Sequence, residues 1–327
     1  MSIISNLDSN ENHQELQMSY LEAFRTLESD SPYKTDLLSL LMSNDAHYGH
    51  QICRHNPMMG RYLYGEHGDV HVINLTSTMF LLKKVLNDLV VMFSESNARL
   101  LFVGSKEQLV NVIKDSAERC GQYFVNHRWF GGTLTNWKTI QQSIRKMNIL
   151  EKELADQTLD KKLRQSKERV YNKLINSLGG IRKMSNLPDI IFVTDTNREK
   201  VAIQEANKLG IPVIALLDSN SSPIGVDYPI PCNDDSQDAV SLICQLISDA
   251  VLTGIESAFE RRQAQQKERE QNRKSYAERR NYANTADNKE KSAESGAQGD
   301  KSDVRKPYVK KGVSKDESAK NKNDSNN

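Results

Sequence analysis

The chain has few cysteines, no long apolar run and no nucleotide-binding signature, and each absence narrows the class of protein it can be. Its four cysteines form no C-x-x-C pair, so we expect reduced thiols and neither a zinc knuckle nor a dithiol redox site. Hydrophobic residues make up only 37% of the 327 positions, and no apolar run reaches the length of a transmembrane helix. The N-terminal residues lack a basic stretch followed by an apolar one, so we expect neither a secretory signal nor a membrane partner.

The loops that follow the predicted strands lack the motifs of the common α/β enzymes. No G-x-G-x-x-G, G-x-x-x-x-G-K-[S/T] or G-x-S-x-G pattern occurs in the chain. Asp195 and Asp218 end adjacent predicted strands and could hold a metal ion, although residues at such positions more often cap a helix or fix a turn. A nucleotide-dependent or metal-dependent enzyme is therefore the rival hypothesis, and we predict that the protein is not an enzyme.

Several of the seven histidines lie close together in the sequence and suggest a possible metal site. His47 and His50 are three residues apart, and Cys53 is near enough to His50 to be considered as a further ligand. Hydrogen bonding at a polar surface is the more common role of such side chains. We therefore predict no catalytic residue, no metal and no cofactor, and we keep a zinc ion as the alternative.

Charge is distributed unevenly along a chain whose formal net charge is only +1. The first 36 residues carry 2 basic and 7 acidic side chains, and residues 258–327 carry 18 basic and 12 acidic ones. We interpret residues 1–36 as an acidic extension. Residues 258–327 are predicted to be a charged, largely disordered tail because they have too few large apolar residues to pack. The neutral body between them attracts nucleic acid only if its cations cluster in space.

Short apolar runs alternate with helix-like segments through the body of the chain. Continuous apolar runs of this kind indicate strands that are buried on both faces of a parallel sheet. The alternation predicts an α/β fold, a Rossmann-like three-layer sandwich with helices on both faces of the sheet, made by residues 37–134 and 183–257. The predicted strands are residues 70–75, 99–104, 122–125, 190–194 and 212–217, and residues 224–231 are predicted to be a short extended segment with two prolines.

Residues 135–182 interrupt this alternation because they contain no strand candidate. Two apolar seams with helical spacing lie on either side of a polar stretch, and they predict two helices that pack as an antiparallel coiled-coil hairpin protruding from the sheet. The basic residues of this hairpin form either a docking surface or an ordinary solvated face. The seams consist of Ile140, Ile144, Met147 and Leu154, and of Val170, Leu174, Leu178 and Ile181.

The most distinctive stretch is residues 121–138, G-Q-Y-F-V-N-H-R-W-F-G-G-T-L-T-N-W-K, which contains both tryptophans of the chain. A strand-like run leads into an aromatic and cationic turn, and a helix-like run follows. Trp and Arg side chains stack on bases in RNA-binding surfaces, and the pair Gly131-Gly132 permits a tight turn or the close approach of a partner. The alternative is a connection whose tryptophans fill the core.

Over residues 37–258 the chain resembles the bacterial-type ribosomal protein S2 family, because several motifs occur in the same order. The motifs are A-H-Y-G-H (46–50), V-H-V-I-N-L (70–75), the stretch 121–137, P-D-I-I-F-V-T-D-T-N (188–197), N-K-L-G-I-P-V-I-A-L-L-D-S-N (207–220) and D-Y-P-I-P-C-N-D-D-S (227–236). The resemblance implies a parallel α/β/α domain with a protruding coiled-coil hairpin. The periodicity of the chain independently predicts the same fold.

The resemblance also implies a structural, non-enzymatic constituent of the small ribosomal subunit that supports subunit assembly and translation. It would bind small-subunit ribosomal RNA and neighbouring small-subunit proteins at the junction of head and body, with the large mRNA-binding protein one among the candidates and no obligate homo-oligomer. Its location would be the bacterial cytoplasm, or alternatively the mitochondrial matrix. Carried over onto this sequence, the candidate RNA-binding residues are His47, His50, Arg54, Arg61, Arg128, Trp129, Asn136, Lys138 and Arg145.

Overall fold

The computed structural model describes residues 34–156 and 160–295 of the chain. The chain divides into two compact units, residues 1–264 and residues 265–327. The buried hydrophobic clusters belong to the first unit. Most of the predicted acidic extension and the end of the predicted tail lie outside the described residues.

Within the described residues, seven helices and eight strands follow one another along the chain. The helices are α1 (Lys34–Ser43), α2 (Leu75–Glu95), α3 (Val110–Arg119), α4 (Trp137–Leu154), α5 (Lys161–Leu178), α6 (Lys200–Leu209) and α7 (Gln237–Ser295). The strands are β1 (Tyr48–Gln51), β2 (Leu63–His67), β3 (Val70–Ile73), β4 (Leu100–Val103), β5 (Tyr123–Val125), β6 (Ile190–Val193), β7 (Val213–Leu217) and β8 (Tyr228–Pro231). Short 3-10 helices span Ile52–Arg54, Pro57–Tyr62, Glu107–Leu109 and Gly179–Ile181.

The centre of the fold is a five-stranded parallel sheet in the order β5-β4-β6-β7-β8. Every residue of β4, β6 and β7 is buried, as the continuous apolar runs predict for strands covered on both faces. In β4, Leu100 and Phe102 face one layer of the core, and Leu101 and Val103 face the other. The predicted parallel sheet is therefore confirmed: four of its strands coincide with predicted strands, and β8 lies within the predicted extended segment 224–231.

Helices cover both faces of this sheet. On one face, α1, α2, α3 and α7 pack against Leu100, Phe102 and Phe192, and the two phenylalanine rings meet edge to face at 5.7 Å between centroids. On the other face, α6 packs with the first turns of α4 and the last turn of α5 against Leu101 and Val103. The three-layer α/β architecture that the sequence predicts is confirmed.

Helices α4 and α5 form the helical hairpin. They are antiparallel, because the Tyr171 hydroxyl donates a hydrogen bond to Glu151 at 3.1 Å and the Lys167 ammonium lies 2.9 Å from Glu153. The predicted seam of α4 is buried at Ile140, Ile144 and Met147, whereas Leu154 is only half-buried. The predicted seam of α5 is wrong at one position: Val170 is 41% exposed, and Tyr171 packs against the core in its place, together with the predicted Leu174 and with Ile175. One residue turns a helix by 100°, so Tyr171 can take the inward place at the expense of Val170.

A second, antiparallel sheet precedes the parallel one, with strand order β1-β3-β2. The sequence predicts only its third strand and interprets residues 47–68 as a loop. Strands β1 and β2 escape prediction because they contain glycine, histidine and glutamate, and because most of their side chains are exposed or half-buried. Asn74 then caps α2, since its side chain accepts a hydrogen bond from Thr76 N at 3.1 Å.

The last helix, α7, runs from the core of the first unit into the second unit. By length and composition, its segment Gln237–Lys274 could cross a membrane. However, 67% of the most apolar 18-residue stretch of this segment is buried in the protein, as expected of a core helix. The sequence predicts a charged, largely disordered tail from residue 258, whereas the helix continues through the first part of that segment and ends at Ser295. Residues 296–327 lie outside the described residues.

All four cysteines are free thiols, as the sequence predicts. Cys120, Cys232 and Cys244 are buried, and Cys53 is exposed in the segment that links β1 to β2. Burial raises the pKa of the Cys120 thiol to about 11. The pKa values of Cys232 and Cys244 are also raised, again chiefly because both thiols are removed from water.

We expect the edge-to-face phenylalanine pair to contribute strongly to stability. Truncating the fully buried Phe102 to alanine should lower the free energy of unfolding by about 3–5 kcal/mol, because the transfer energy of the ring is lost and a cavity remains. Urea unfolding followed by circular dichroism measures the change. The matched control is Phe259→Ala, since that ring is 60% exposed and its removal should cost less than about 0.5 kcal/mol. Equal effects of the two substitutions would contradict the assignment of the core.

Candidate functional site

The candidate residues collect at two places along the carboxyl edge of the parallel sheet. One is the turn after β5, residues 126–136, which we call the aromatic turn. The other is the contact between β1 and the loop after β7. Strands β5 and β7 are three strand spacings apart, so the two places are separated by about 14 Å along the sheet. The candidate residues identified from the sequence therefore form two distinct surfaces and not one continuous site.

The antiparallel sheet docks onto the loop after β7 through backbone contacts. His50 N donates a hydrogen bond to Ser219 Oγ at 2.8 Å, and Asn56 N donates to Ser219 O at 3.0 Å. Gly49 is required at this contact, because a Cβ atom there would lie 2.8 Å from Ser219 Oγ. The motif at residues 46–50 thus serves first to join the two sheets.

His50 is held between two carboxylates. Its Nδ1 lies 2.9 Å from the buried Asp218 carboxylate, and its Nε2 lies 3.2 Å from Asp235. The hydrogen bond to Asp218 raises the pKa of His50, although burial alone would lower it. Both ring nitrogens therefore have partners within the chain.

Lys106 binds the same group of carboxylates from the loop after β4. Its Nζ lies 2.8 Å from both Asp234 and Asp235 and 3.4 Å from Asp195. Burial would lower the pKa of Lys106, but the nearby carboxylates, Asp234 first, raise it. Burial raises the pKa of Asp234 to about 7, and the Lys106 ammonium opposes this shift. We call the six side chains the charged cluster: His50, Lys106, Asp195, Asp218, Asp234 and Asp235.

The charged cluster contains the one group of side chains in the described part of the chain with the spacing of a metal site. Ligand atoms of His50, Asp234 and Asp235 all lie within 4.8 Å of one another and could hold a metal ion. The metal ligands considered among His47, His50 and Cys53 are not brought together, because the Cys53 thiol lies against Gln51 Oε1 at 3.8 Å. In this structure Lys106 is the cationic partner of these carboxylates, and His50 lies between Asp218 and Asp235.

The other candidates of the first motif lie on or beside the antiparallel sheet. His47 is half-buried, with its ring 4.1 Å from the ring of Tyr48. Arg54 is exposed, and Arg61 is exposed with its guanidinium 5.3 Å from the ring centroid of Tyr62. The two arginines are thus open to a partner, whereas His50 is part of the charged cluster.

The aromatic turn is fastened to the body by a single carboxylate, that of Glu205 on α6. This carboxylate accepts hydrogen bonds from Gly132 N at 2.7 Å, Leu134 N at 2.9 Å and Thr135 N at 3.0 Å, and the Trp129 indole N–H donates to it at 3.2 Å. Burial raises the pKa of Glu205, but these donors outweigh it, and the net pKa lies below the usual range. The turn is therefore held by backbone donors that converge on one buried anion.

The tryptophans pack against the core, and the candidate polar side chains at this site are exposed. Trp129 and Trp137 are half-buried and pack against the core on the α6 side of the sheet, which favours the alternative in which they serve the packing of the connection. Arg128, Asn136 and Lys138 are exposed. On α4, Arg145 is also exposed and follows Lys138 by seven residues, so the two cations share one side of the helix.

Glu205, the residue whose carboxylate accepts the hydrogen bonds of the turn, is not among the candidate residues identified from the sequence. Its signal was present but weak, because Glu205 is an acidic residue on the helix face that carries Ala202, Ile203 and Ala206. Gly132 has φ +89°, a conformation that favours glycine, and this explains one of the two adjacent glycines.

Removing the Glu205 carboxylate should loosen the aromatic turn. Glu205→Ala leaves several buried N–H groups without an acceptor, so we expect it to lower the free energy of unfolding by roughly 2–4 kcal/mol. Because the pKa of Glu205 is lowered by folding, its contribution is present above about pH 4.3 and is lost as the pH falls through the folded-state value. Urea unfolding at pH 7 and at pH 3–4 measures both effects. Gln204→Ala, on the exposed side of α6, is the control, and an equally stable Glu205→Ala variant would contradict the fastening role.

The comparisons with known proteins agree on one family. The sequence model described as Ribosomal protein S2 matches residues 41–254. Small ribosomal subunit protein uS2 of Ehrlichia ruminantium (strain Gardel) is 50% identical over 219 residues, 66% of this chain and 76% of the relative. The proteins of the same name from Acidiphilium cryptum (strain JF-5) and Jannaschia sp. (strain CCS1) are 49% identical over 220 residues and 48% identical over 223. These matches cover 67% of this chain in each case, and 86% and 80% of the two relatives.

The match includes the parallel sheet, the hairpin, the aromatic turn and the charged cluster, since all of them lie between residues 41 and 254. Proteins of this family are structural components of the small ribosomal subunit rather than enzymes, so the prediction that the chain is not an enzyme is confirmed. The order and identity of the motifs predict the same relationship. The chain belongs to the ribosomal protein S2 family.

Proposed function

We propose that the chain binds small-subunit ribosomal RNA and neighbouring small-subunit proteins at the junction of head and body, and that it supports subunit assembly and translation in the bacterial cytoplasm. The observation that carries the proposal is the construction of the aromatic turn. Its backbone and one indole are fastened to Glu205, while Arg128, Asn136 and Lys138 are exposed. Cations presented by a fixed backbone bind phosphate without a large loss of conformational entropy.

The RNA surface proposed here follows the aromatic turn onto α4. Arg128 and Lys138 would contact phosphates, and Asn136 would hydrogen-bond to a sugar or a base edge. Arg145 would extend the phosphate contacts by two turns along the same side of α4. Trp129 would act as a support of the turn, since its indole N–H is already bound to Glu205.

A second surface, on the antiparallel sheet, is suited to a protein neighbour. Large apolar side chains are exposed there, and aromatic and methionine side chains are common at protein interfaces. Arg54 and Arg61 lie in the same segment, between β1 and β2, and could contact either RNA or an acidic protein. We propose that His47 and His50 shape this surface from beneath. The exposed apolar residues are Tyr48, Ile52, Met58 and Tyr64, with exposed fractions of 41%, 39%, 45% and 83%.

We also propose a division of the chain by role. Residues 37–134 and 183–257 would form the body, and residues 135–182 the coiled-coil hairpin. Residues 1–36 would be an acidic extension, and residues 258–327 a charged tail that binds RNA or a partner after the body has docked. The excess of basic over acidic residues in the tail supports this role.

The proposal is tested first by sedimentation of tagged full-length chain from growing cells. We expect the chain to co-migrate with the small subunit, and with whole ribosomes, in a sucrose gradient. Washing the particles at increasing salt should release the chain progressively, because phosphate contacts weaken as counterions compete. A chain that stays entirely at the top of the gradient during normal growth would refute the proposed function.

The aromatic turn is tested by the salt dependence of binding. For the double variant Arg128→Gln and Lys138→Gln, we expect the slope of log affinity against log salt to fall by roughly 1–2, because each lost phosphate contact lowers it by about 0.7–0.9. Labelled chain is titrated onto small subunits depleted of this protein. The control is Lys208→Gln, an exposed lysine near the end of α6. An unchanged slope in the double variant, with wild-type binding intact, would remove the turn from the RNA contact.

A further inference from the structure

A cavity beside the aromatic turn lies along the outer edge of β5 and shares Asn126 and His127 with that turn. Its volume is 540 Å³, within the range of pockets that hold small organic ligands. It is bounded by the end of α3, by the edge of β5, and by the segment from the last turn of α5 through the 3-10 helix Gly179–Ile181. Neither the fold nor the two proposed surfaces explains its presence.

Gly180 allows this wall to stand close to β5. A Cβ atom at that position would lie 2.1 Å from Phe124 O and 2.6 Å from Phe124 Cδ2, so another residue would push the wall away. Tyr123 and Phe124 line the cavity from the strand, and because they are neighbours in a strand their half-buried rings lie on opposite faces of the sheet. The site therefore offers aromatic surface in a depression that the backbone fixes.

The rim of the cavity is positively charged, in contrast to the neutral body. Lys114, Arg182 and Lys183 line it, with Glu118 as the acidic member. Arg182 is paired with Glu151, but Lys114 and Lys183 are exposed and have no carboxylate partner among the described residues. Two unpaired ammonium groups beside an aromatic depression favour an anionic ligand with a planar group.

Two amide side chains in the cavity are oriented by the fold. Gln122 accepts a hydrogen bond from Leu100 N at 2.9 Å, and the Asn126 amide donates to Val110 O at 2.8 Å. Each side chain keeps its other amide atom for a ligand, an N–H donor on Gln122 and a carbonyl acceptor on Asn126. The two side chains lie four residues apart along the strand, about 13 Å, so one can contact the base edge while the other contacts a ribose hydroxyl.

We propose that this cavity binds one unpaired nucleotide of small-subunit ribosomal RNA. The base stacks on Tyr123 or Phe124, and the flanking phosphates lie at Lys114 and Lys183. The nucleotide has to be unpaired, because paired RNA keeps its bases in the helix and out of reach of such a pocket. The inference rests on the proposed RNA-binding function and specifies a further contact for it. Addition of a peptide strand is the poorer fit, since β5 has three residues and offers few main-chain hydrogen bonds.

The inference is tested by ultraviolet cross-linking of intact small subunits that carry the full-length chain. Trypsin cleaves after Arg119 and Arg128, so the peptide 120–128 contains Tyr123 and Phe124 together with His127 and Arg128 of the aromatic turn, and its fragment ions must assign the adduct to Tyr123 or Phe124. We expect mass spectrometry to find this peptide with the added mass of a ribonucleotide. No adduct on peptide 120–128, from subunits that do contain the chain, overturns the inference and leaves the proposed function intact.

Charge variants test the phosphate contacts separately. The double variant Lys114→Gln and Lys183→Gln should lower the cross-link yield of peptide 120–128 roughly tenfold in a moderate-salt wash, because two phosphate contacts are lost. The control Lys200→Gln and Lys208→Gln changes two exposed lysines of α6 and should leave the yield unchanged. Equal yields from the two double variants overturn the assignment of the phosphates.

Two further outcomes would overturn the inference: a protein in the cavity in place of RNA, and the absence of the chain from the small subunit. If a lysine-reactive reagent joins Lys114 and Lys183 to a neighbouring protein, and peptide 120–128 carries no nucleotide, the cavity is a protein contact and the inference is overturned. If the wild-type chain is absent from small subunits in the sucrose gradient, the proposed function fails, and the inference fails with it.

Discussion

Burial of the central strands on both faces is the constraint on which the rest of the structure depends. Every residue of β4, β6 and β7 is buried, so each face of the sheet must be covered by helices. That requirement fixes α2, α3 and α7 on one side and α6 with the hairpin on the other. Polar and functional groups are thereby confined to the strand ends, the lateral edge of the sheet and the antiparallel sheet.

Most ionisable side chains at these places pair with other groups of the chain and hold the structure together. The exposed cations of the candidate site have a different role, because they face outward. The Glu205 carboxylate fastens the aromatic turn, and the charged cluster joins the antiparallel sheet to the loops after β4, β6 and β7. Arg128 and Lys138 can then present charge from a backbone that is already ordered. A binding surface of this kind requires little rearrangement when RNA docks, because its geometry is set before the encounter.

The sequence predicts those parts of the fold in which apolar residues follow a simple pattern, either a continuous run or a helical repeat. The parallel strands are continuous apolar runs, and α4 keeps its seam, so both were predictable from residue type alone. Strands β1 and β2 were not, because their exposed faces and their Gly, His and Glu residues give no period. Val170 was misplaced because two neighbouring helix positions compete for the interior and only the facing helix decides between them. The hydrogen-bond and ion-pair partners of His50 and Glu205 lie about 70 to 185 positions away in the sequence. A single sequence carries no contact information over such a distance.

The distribution of the cysteines allows folding to be followed by the number of thiols that react with an alkylating reagent. Three thiols are buried, and those of Cys120, Cys232 and Cys244 have raised pKa values, so neither access nor ionisation favours their attack on an alkylating reagent. Only Cys53 is exposed, which means that a native molecule takes up one equivalent of a maleimide and an unfolded molecule takes up four. A dye attached through that single thiol sits beside the proposed protein-docking surface, where its emission can follow the arrival of a neighbour without any engineered label.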